Sequence, residues 1–234
     1  MLPADITLIL PTRDEAHNIR QFLASVPAQI RLIVVDASRD ETPDLIETLR
    51  PERTLVMREP GSVTQARQRG ADLARTEWLL FSDADILFPP GYFEKLACLS
   101  ESAVYYGPKL STDRFRAYYN RIARAQALSH ACGIPAASGS NLLIRRDALA
   151  CVGGFDLRLT CNEDSEVVWR LRRAGFRVSF RKDLVVHATD HRRIAGSRWN
   201  KTRHSITRCI LLYTNLMPVK YRTYDWGYWQ HRDG

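Results

Sequence analysis

The chain alternates short apolar runs with amphipathic stretches. Residues 6–10 (ITLIL) form an apolar, β-branched run ended by Pro11, the pattern of a buried strand. Asp14-Glu15 then open a segment with Ile19, Phe22, Leu23 and Val26 on one helical face. Leu32 to Val35 is a second buried run, closed by Asp36-Ala37-Ser38-Arg39-Asp40, and a helix through Leu45, Ile46 and Leu49 follows. Thr54 to Met57 predicts a third strand and Val63 to Arg75 a third helix. Trp78 to Phe81 predicts a fourth strand, ended by Ser82-Asp83-Ala84-Asp85. Strands and helices alternating at this spacing predict a parallel sheet covered by helices on both faces. Polar clusters follow strands one, two and four, the edge at which open α/β sheets bind ligands. Three segments therefore point at one crevice.

The second half is less regular. Phe115 to Ala131 reads as a helix, followed by a Gly/Pro/Ser loop from Gly133 to Ser140. Asn141 to Ile144 reads as a strand, and Asp147 to Val152 as a short helix stopped by Gly153-Gly154. A helix from Ser165 to Ala174 is closed by Gly175, and Arg177 to Phe180 and Leu184 to His187 read as strands. Near the C-terminus Trp199, Ile206, Ile210, Tyr213 and Met217 recur at helical spacing until Pro218 stops the pattern. Without internal repeats or a linker, one domain with a C-terminal helical segment is expected.

Composition narrows the class. A chain of 234 residues can bury a core without a disulfide or metal staple. Apolar residues are 45% and charged residues 26%, which excludes a disordered, collagen-like or disulfide-dense chain. No apolar run approaches the roughly 18 residues of a bilayer span. Asp5 stands where a signal peptide has a basic start. Five cysteines, odd in number and without a C-x-x-C pair, suit a reducing compartment, so a cytoplasmic protein is expected. Lys and Arg total 34 against 26 acids, giving +8. Eight of the basic residues lie between Arg192 and Arg222 with no acid among them, and they account for the whole excess. Such a patch suits nucleic acid, an anionic membrane surface or a phosphorylated substrate, and equally a solvated helix face.

Candidate chemistry follows the strands. Asp83-Ala84-Asp85 at a sheet mouth can hold a hard divalent cation that in turn grips phosphate oxygens; the same acids also suit a capping turn. Asn162-Glu163-Asp164-Ser165 precedes a helix, where acids are stabilised by the dipole and a carboxylate is rigidly aimed. A general base needs that geometry. Arg67, in the segment from Gly61 to Gly70, brings a guanidinium suited to phosphate. The chain has no G-x-G-x-x-G, no P-loop and no G-x-S-x-G nucleophile turn.

Taken in order, these segments resemble family 2 glycosyltransferases, inverting enzymes of the GT-A fold. The likeness runs from about Ile6 to His187 through Pro11-Thr12-Arg13-Asp14-Glu15, Val34 to Thr42, Ala66-Arg67-Gln68-Arg69-Gly70 and Phe81 to Asp85. It continues through Gly139 to Asp156, ending Val152-Gly153-Gly154-Phe155-Asp156, and through Glu163-Asp164 with Trp169-Arg170-Leu171. The resemblance implies an α/β GT-A domain over 1–191, with a nucleotide-binding half over about 1–90 and an acceptor half over about 91–191. Residues 192–234 are then a basic amphipathic extension. It implies Pro11, Glu15, Asp36, Arg67 and Asp83 around a nucleotide-sugar, Asp36 near the base and Asp83 by the ribose. Asp85 would hold Mg or Mn, with His187 as a further metal ligand and His191 as its competitor, and Asp164 would be the general base. The turn at Asp36 is one residue shorter than usual, and Gln68 stands where Asn is usual and receives no role.

The expected activity is metal-assisted, inverting transfer of a hexosyl group from a nucleotide-sugar to an acceptor hydroxyl. The acceptor is unidentified; a lipid-linked one would suit a C-terminal helix lying at the inner face of the membrane. Three rivals stand beside this reading, one of them a glycosyltransferase-like protein that binds nucleotide-sugar without turnover, against which intact Asp83, Asp85 and Asp164 argue. A nucleotidyltransferase would want a Gly-rich basic loop after strand one, where this chain has acids. A nucleic-acid-binding module would use the basic C-terminus, but no recognised binding motif accompanies it, and no nucleic-acid partner is expected.

Overall fold

The computed structural model describes residues 2–113, 115–190, 207, 208, 211, 213 and 214. Seven strands form the central sheet: β1 (Ile6–Thr12), β2 (Arg31–Asp36), β3 (Thr54–Arg58), β4 (Trp78–Phe81), β6 (Val104–Tyr106), β8 (Leu142–Arg145) and β9 (Val178–Phe180). Their order is β3-β2-β1-β4-β8-β6-β9. A second sheet of three short strands, β5 (Ile86–Leu87), β10 (Val186–Ala188) and β7 (Lys109–Leu110), lies beyond the end of β4. The order reverses between β1 and β4, both parallel to β2. Chain ends diverge at such a switch point and leave a crevice.

Alternation along the strands sends Leu8, Leu10, Leu32, Val34 and Leu80 to one face. There they meet α1 (Ala16–Ala24), α2 (Thr42–Leu49) and α4 (Tyr92–Ala97). Ile9, Ile33, Val35, Leu79 and Phe81 face the other way, onto α3 (Val63–Leu73), α6 (Arg146–Cys151) and α7 (Glu163–Arg173). Two apolar layers thus clamp the sheet, which is why β1, β2 and β4 read as continuous apolar runs. The remaining helix, α5 (Arg116–Ala131), packs against β7 and buries Tyr119 and Gln126.

The alternating first half forms as expected, with helices on both faces. The second half departs from a purely parallel sheet: β8 runs antiparallel to both β4 and β6. The last predicted strand joins the small sheet instead of the central one, pairing His187 with Leu87 and Leu110. The sequence reading places no strand at β5, β6 or β7, which are only two or three residues long. In the expected C-terminal stripe, Trp199, Ile206, Ile210 and Met217 lie outside the described residues, as does His191. Tyr213 is described: its hydroxyl donates to the Pro135 carbonyl at 2.6 Å and its ring lies 4.8 Å from that of Trp169. Among the described residues no helix is long and apolar enough to cross a membrane.

Candidate active site

The floor of the crevice is built by the ends of β1 and β2. Asp36, the last residue of β2, is buried, and its Oδ1 accepts from the Thr12 and Ser38 hydroxyls, both at 2.6 Å. The Ser38 amide donates to Oδ2 at 3.1 Å, so the short turn after β2 folds back on its own carboxylate. The loop after β1 is tied to the same turn. The Asp14 amide donates to Ser38 Oγ at 2.8 Å, the Arg39 amide to Asp14 at 2.8 Å, and the Glu15 amide to Thr42 Oγ1 at 2.9 Å. Pro11, inside β1, pairs with Val35 and brings no amide donor to the ladder. Glu15 is buried and accepts from Asn18 Nδ2 at 2.7 Å.

Beyond β4 the two carboxylates of the D-x-D segment part company. Asp85 is buried, and its Oδ1 accepts from Lys109 Nζ at 2.9 Å. No described residue donates to its Oδ2. The backbone of β10 runs alongside, with the Thr189 amide donating to the Asp85 carbonyl at 2.9 Å, which brings His187 into the neighbouring strand. Asp83 turns the other way, toward Arg67 Nη2 at 2.8 Å and Ser140 Oγ at 2.5 Å. A second donor group, Glu15, His17 and Asp190, has its ligand atoms within 4.8 Å of one another.

The third wall is the start of α7. Glu163, Asp164 and Glu166 occupy its first turn and Arg170, Arg172 and Arg173 its last, each matched to the helix dipole. Asn162 ahead of them sits at φ 62°, a conformation Asn tolerates better than most residues. Asp164 accepts from the Gly139 amide at 2.7 Å through Oδ2 and from the Ser165 amide at 2.6 Å through Oδ1. Each carboxylate oxygen has a second lone pair, so capacity for a substrate proton remains. Arg67 is buried, with Nη1 on Glu163 and Nη2 on Asp83.

One guanidinium therefore pairs with two carboxylates, and its charge also reaches Asp164. Burial raises Glu163 to about 7, with Asp164 adding to the rise against the pull of Arg67. Asp164 is also raised, again by burial, with Arg67 and its two amide donors holding the rise in check. Burial works against the charge on Arg67, but Glu163, Asp83 and Asp164 outweigh it and hold the guanidinium firmly protonated.

The structure thus gathers Arg67, Asp83 and Asp164 in one network, pairs Asp85 with Lys109 and sets His187 on the adjoining strand, with Pro11, Glu15 and Asp36 on the floor. Lys109 and Ser140 contact these groups without having been singled out in the sequence, while Thr12 and Gly139 stand there only as members of longer motifs. Lys109 sits on a two-residue strand, while Ser140 and Gly139 lie where the Gly/Pro/Ser-rich loop meets the Gly139 to Asp156 segment of the resemblance. Gln68, given no role, has a structural one: its Oε1 accepts from the Phe155 amide at 2.8 Å and packs on Gly154, which sits at φ 74°. Arg170 completes that anchor, donating to the carbonyls of Val152 at 2.5 Å and Gly154 at 2.6 Å.

An open sheet with acids converging from β4 and α7 at its switch point defines a GT-A type α/β protein. Residues 7–153 match the family described as glycosyl transferase family 2, and the chain belongs to it. The pre-mycofactocin glycosyltransferase of Mycobacterium tuberculosis is 26% identical over 207 residues, covering 80% of this chain and 43% of that protein. The succinoglycan biosynthesis protein ExoA of Rhizobium meliloti is 28% identical over 194 residues, covering 73% and 59%. The chain therefore spans less than two thirds of either relative. Among solved structures, the mannosyltransferase PcManGT of Pyrobaculum calidifontis, in complex with GDP-Man and Mn2+, superposes with a TM-score of 0.67 at 19% identity. That match covers 93% of this chain and 67% of that one. S. aureus TarS 1-349 in complex with UDP-GlcNAc gives 0.65 at 16%, covering 92% and 72%.

Proposed function

We propose that the chain transfers a sugar from a nucleoside-diphosphate sugar to an acceptor hydroxyl with inversion, Asp164 acting as general base. The observation that carries this reading is the loop bearing Gly139 and Ser140. Ser140 holds Asp83 on the β4 side while the preceding amide holds Asp164 on α7, so one dipeptide spaces the donor-side and acceptor-side carboxylates. In a single displacement the acceptor oxygen attacks the anomeric carbon as its proton passes to Asp164. The bond to the diphosphate breaks with its electron pair staying on the leaving oxygen. Holding both partners in line supplies much of the rate. PcManGT was solved with GDP-Man and TarS with UDP-GlcNAc, which supports a nucleotide-sugar donor here.

A divalent cation, Mg2+ or Mn2+, fits the donors. Asp85 has an oxygen without a protein donor among the described residues, His187 lies on the adjoining strand, and Glu15, His17 and Asp190 offer a further set. When bound, such a cation neutralises charge on the diphosphate. Lys109 balances Asp85 in its place. Membership of the family favours this reading over a nucleotidyltransferase or a nucleic-acid-binding module. The basic segment from Arg192 suits an anionic surface, and with it a lipid-linked acceptor.

A thermal-shift screen of nucleoside diphosphates and nucleotide-sugars with Mn2+ or Mg2+ names the donor, since ligands of the folded state raise Tm by mass action. Asp164→Asn should keep that shift and lose transfer by about a hundredfold or more, the scale of general-base catalysis. Undiminished transfer by the variant would remove Asp164 from the role.

A further inference from the structure

The guanidinium of Arg67 lies on the backbone of Gly139: a Cβ at that position would collide with Arg67 Nη1, Nη2 and Cζ. The same Gly139 donates its amide to Asp164 Oδ2 at 2.7 Å. The Gly139 backbone is therefore held at two points, by contact with Arg67 and by its bond to Asp164. Arg67 itself cannot drift, because Glu163 takes Nη1 and Asp83 takes Nη2. Glu163 is 3% exposed and Asp83 is the more open of the two. Asp83 has Ser140 as a further partner, so it keeps an anchor without Arg67. The immobile end of this chain of contacts is Glu163.

We propose that Glu163 is a positioning residue for sugar transfer: through Arg67 and the Gly139 backbone it sets where the Asp164 carboxylate stands relative to Asp83. The inference rests on the reading of Asp164 as general base. Glu163 touches no reacting atom in this account. Its carboxylate is turned inward to Arg67, whereas Asp164, one residue on, bonds the Gly139 amide and remains partly exposed. Adjacent helical residues diverge by about 100°. The acidic pair thereby divides the labour, one side chain holding the wall and the other facing the crevice.

The experiment uses the full chain with the donor named by the thermal-shift screen, water standing in for the acceptor, and release of nucleoside diphosphate as the readout. Glu163→Gln should lower kcat by about a hundredfold, the cost of roughly 1 Å of misplacement. KM and nucleotide binding should stay within about threefold, since Asp83 keeps Ser140. Gly139→Ala, which removes no charge but displaces Arg67, should lower kcat to a similar extent. Arg67→Gln combined with Glu163→Gln should be no worse than the more damaging single change, because residues acting as one unit are not additive. Should Glu163→Gln fail to fold, as judged by circular dichroism, Gly139→Ala and Arg67→Gln carry the comparison. Unchanged kcat in Gly139→Ala, or full additivity in the double variant, would overturn the proposal. Loss of activity in Glu163→Gln with Asp164→Asn fully active would instead overturn the base reading and make Glu163 itself the proton acceptor.

Discussion

Single side chains set the charge balance of the crevice, and two of them can be tested separately. On the proposed metal role of Asp85, Lys109 would compete with the cation for its carboxylate. Lys109→Met keeps the aliphatic stem and removes the ammonium, leaving a buried carboxylate uncompensated, a change that costs about 3–5 kcal/mol where burial is complete. The variant should melt lower in chelator, recover with Mn2+, and bind Mn2+ more tightly than the parent by isothermal titration. Unaltered Mn2+ affinity would place the metal elsewhere, with Glu15, His17 and Asp190 as the next candidates. Glu163 gives a pH signature. Its folded-state value of about 7 lies above that of an ordinary carboxyl, so the native chain binds this proton more tightly than the unfolded chain does. The stability this contributes is full below the unfolded value and is lost as pH rises through about 7. Urea midpoints of the parent should therefore fall across that window relative to those of Glu163→Gln. Parallel profiles would mean that Glu163 is already ionised in mildly acidic solution.

At the scale of elements, legibility followed length and periodicity. β1, β2 and β4 could be read because each is buried on both faces, and the acids after them stand at the edge where the crevice opens. The D-x-D segment and the start of α7 were readable for the same reason: each interrupts a strong pattern. What could not be read is how non-adjacent loops meet. That Lys109 faces Asp85, or that Gly139 touches both Arg67 and Asp164, follows from pairings 24 to 72 residues apart that no local pattern encodes. The Val152-Gly153-Gly154-Phe155 turn shows the opposite case, a motif visible in sequence whose reason is structural. Gly154 is at φ 74° and has no room for a Cβ beside Gln68. Gly154→Ala should destabilise the chain by about 1–3 kcal/mol, the range for a strained backbone position. Urea denaturation checks this, with Gly91→Ala as the comparison: that glycine is also at positive φ, 81°, but has open space where the Cβ would stand. Equal losses at the two positions would mean that the Gln68 contact adds nothing beyond backbone strain.

At the scale of the whole molecule, the basic C-terminal segment meets the α/β body through named side chains. Tyr213, one member of the apolar stripe, is spent on the body, bonded to Pro135 and stacked near Trp169 on α7. Arg208 is buried and donates toward the Cys161 carbonyl at 3.4 Å, close to the start of the same helix. Any attraction of this segment to a membrane would then come chiefly from charge, since at least part of the stripe already has a protein partner. Basic residues near an anionic surface contribute about 1 kcal/mol each and lose it within a Debye length, so recruitment should be steeply salt-dependent. Co-sedimentation with vesicles rich in anionic lipid should capture the full chain at low salt and release it as salt rises, while neutral vesicles should not bind it. Tyr213→Ala should lower Tm without changing capture, which separates the packing role of the segment from its charge. Removal of residues after Arg192 should abolish capture. Binding equally well to neutral and anionic vesicles would show that apolar insertion, not charge, drives the contact. No capture under any salt would leave the segment as a cover for α7 and point to an acceptor that reaches the crevice from solution.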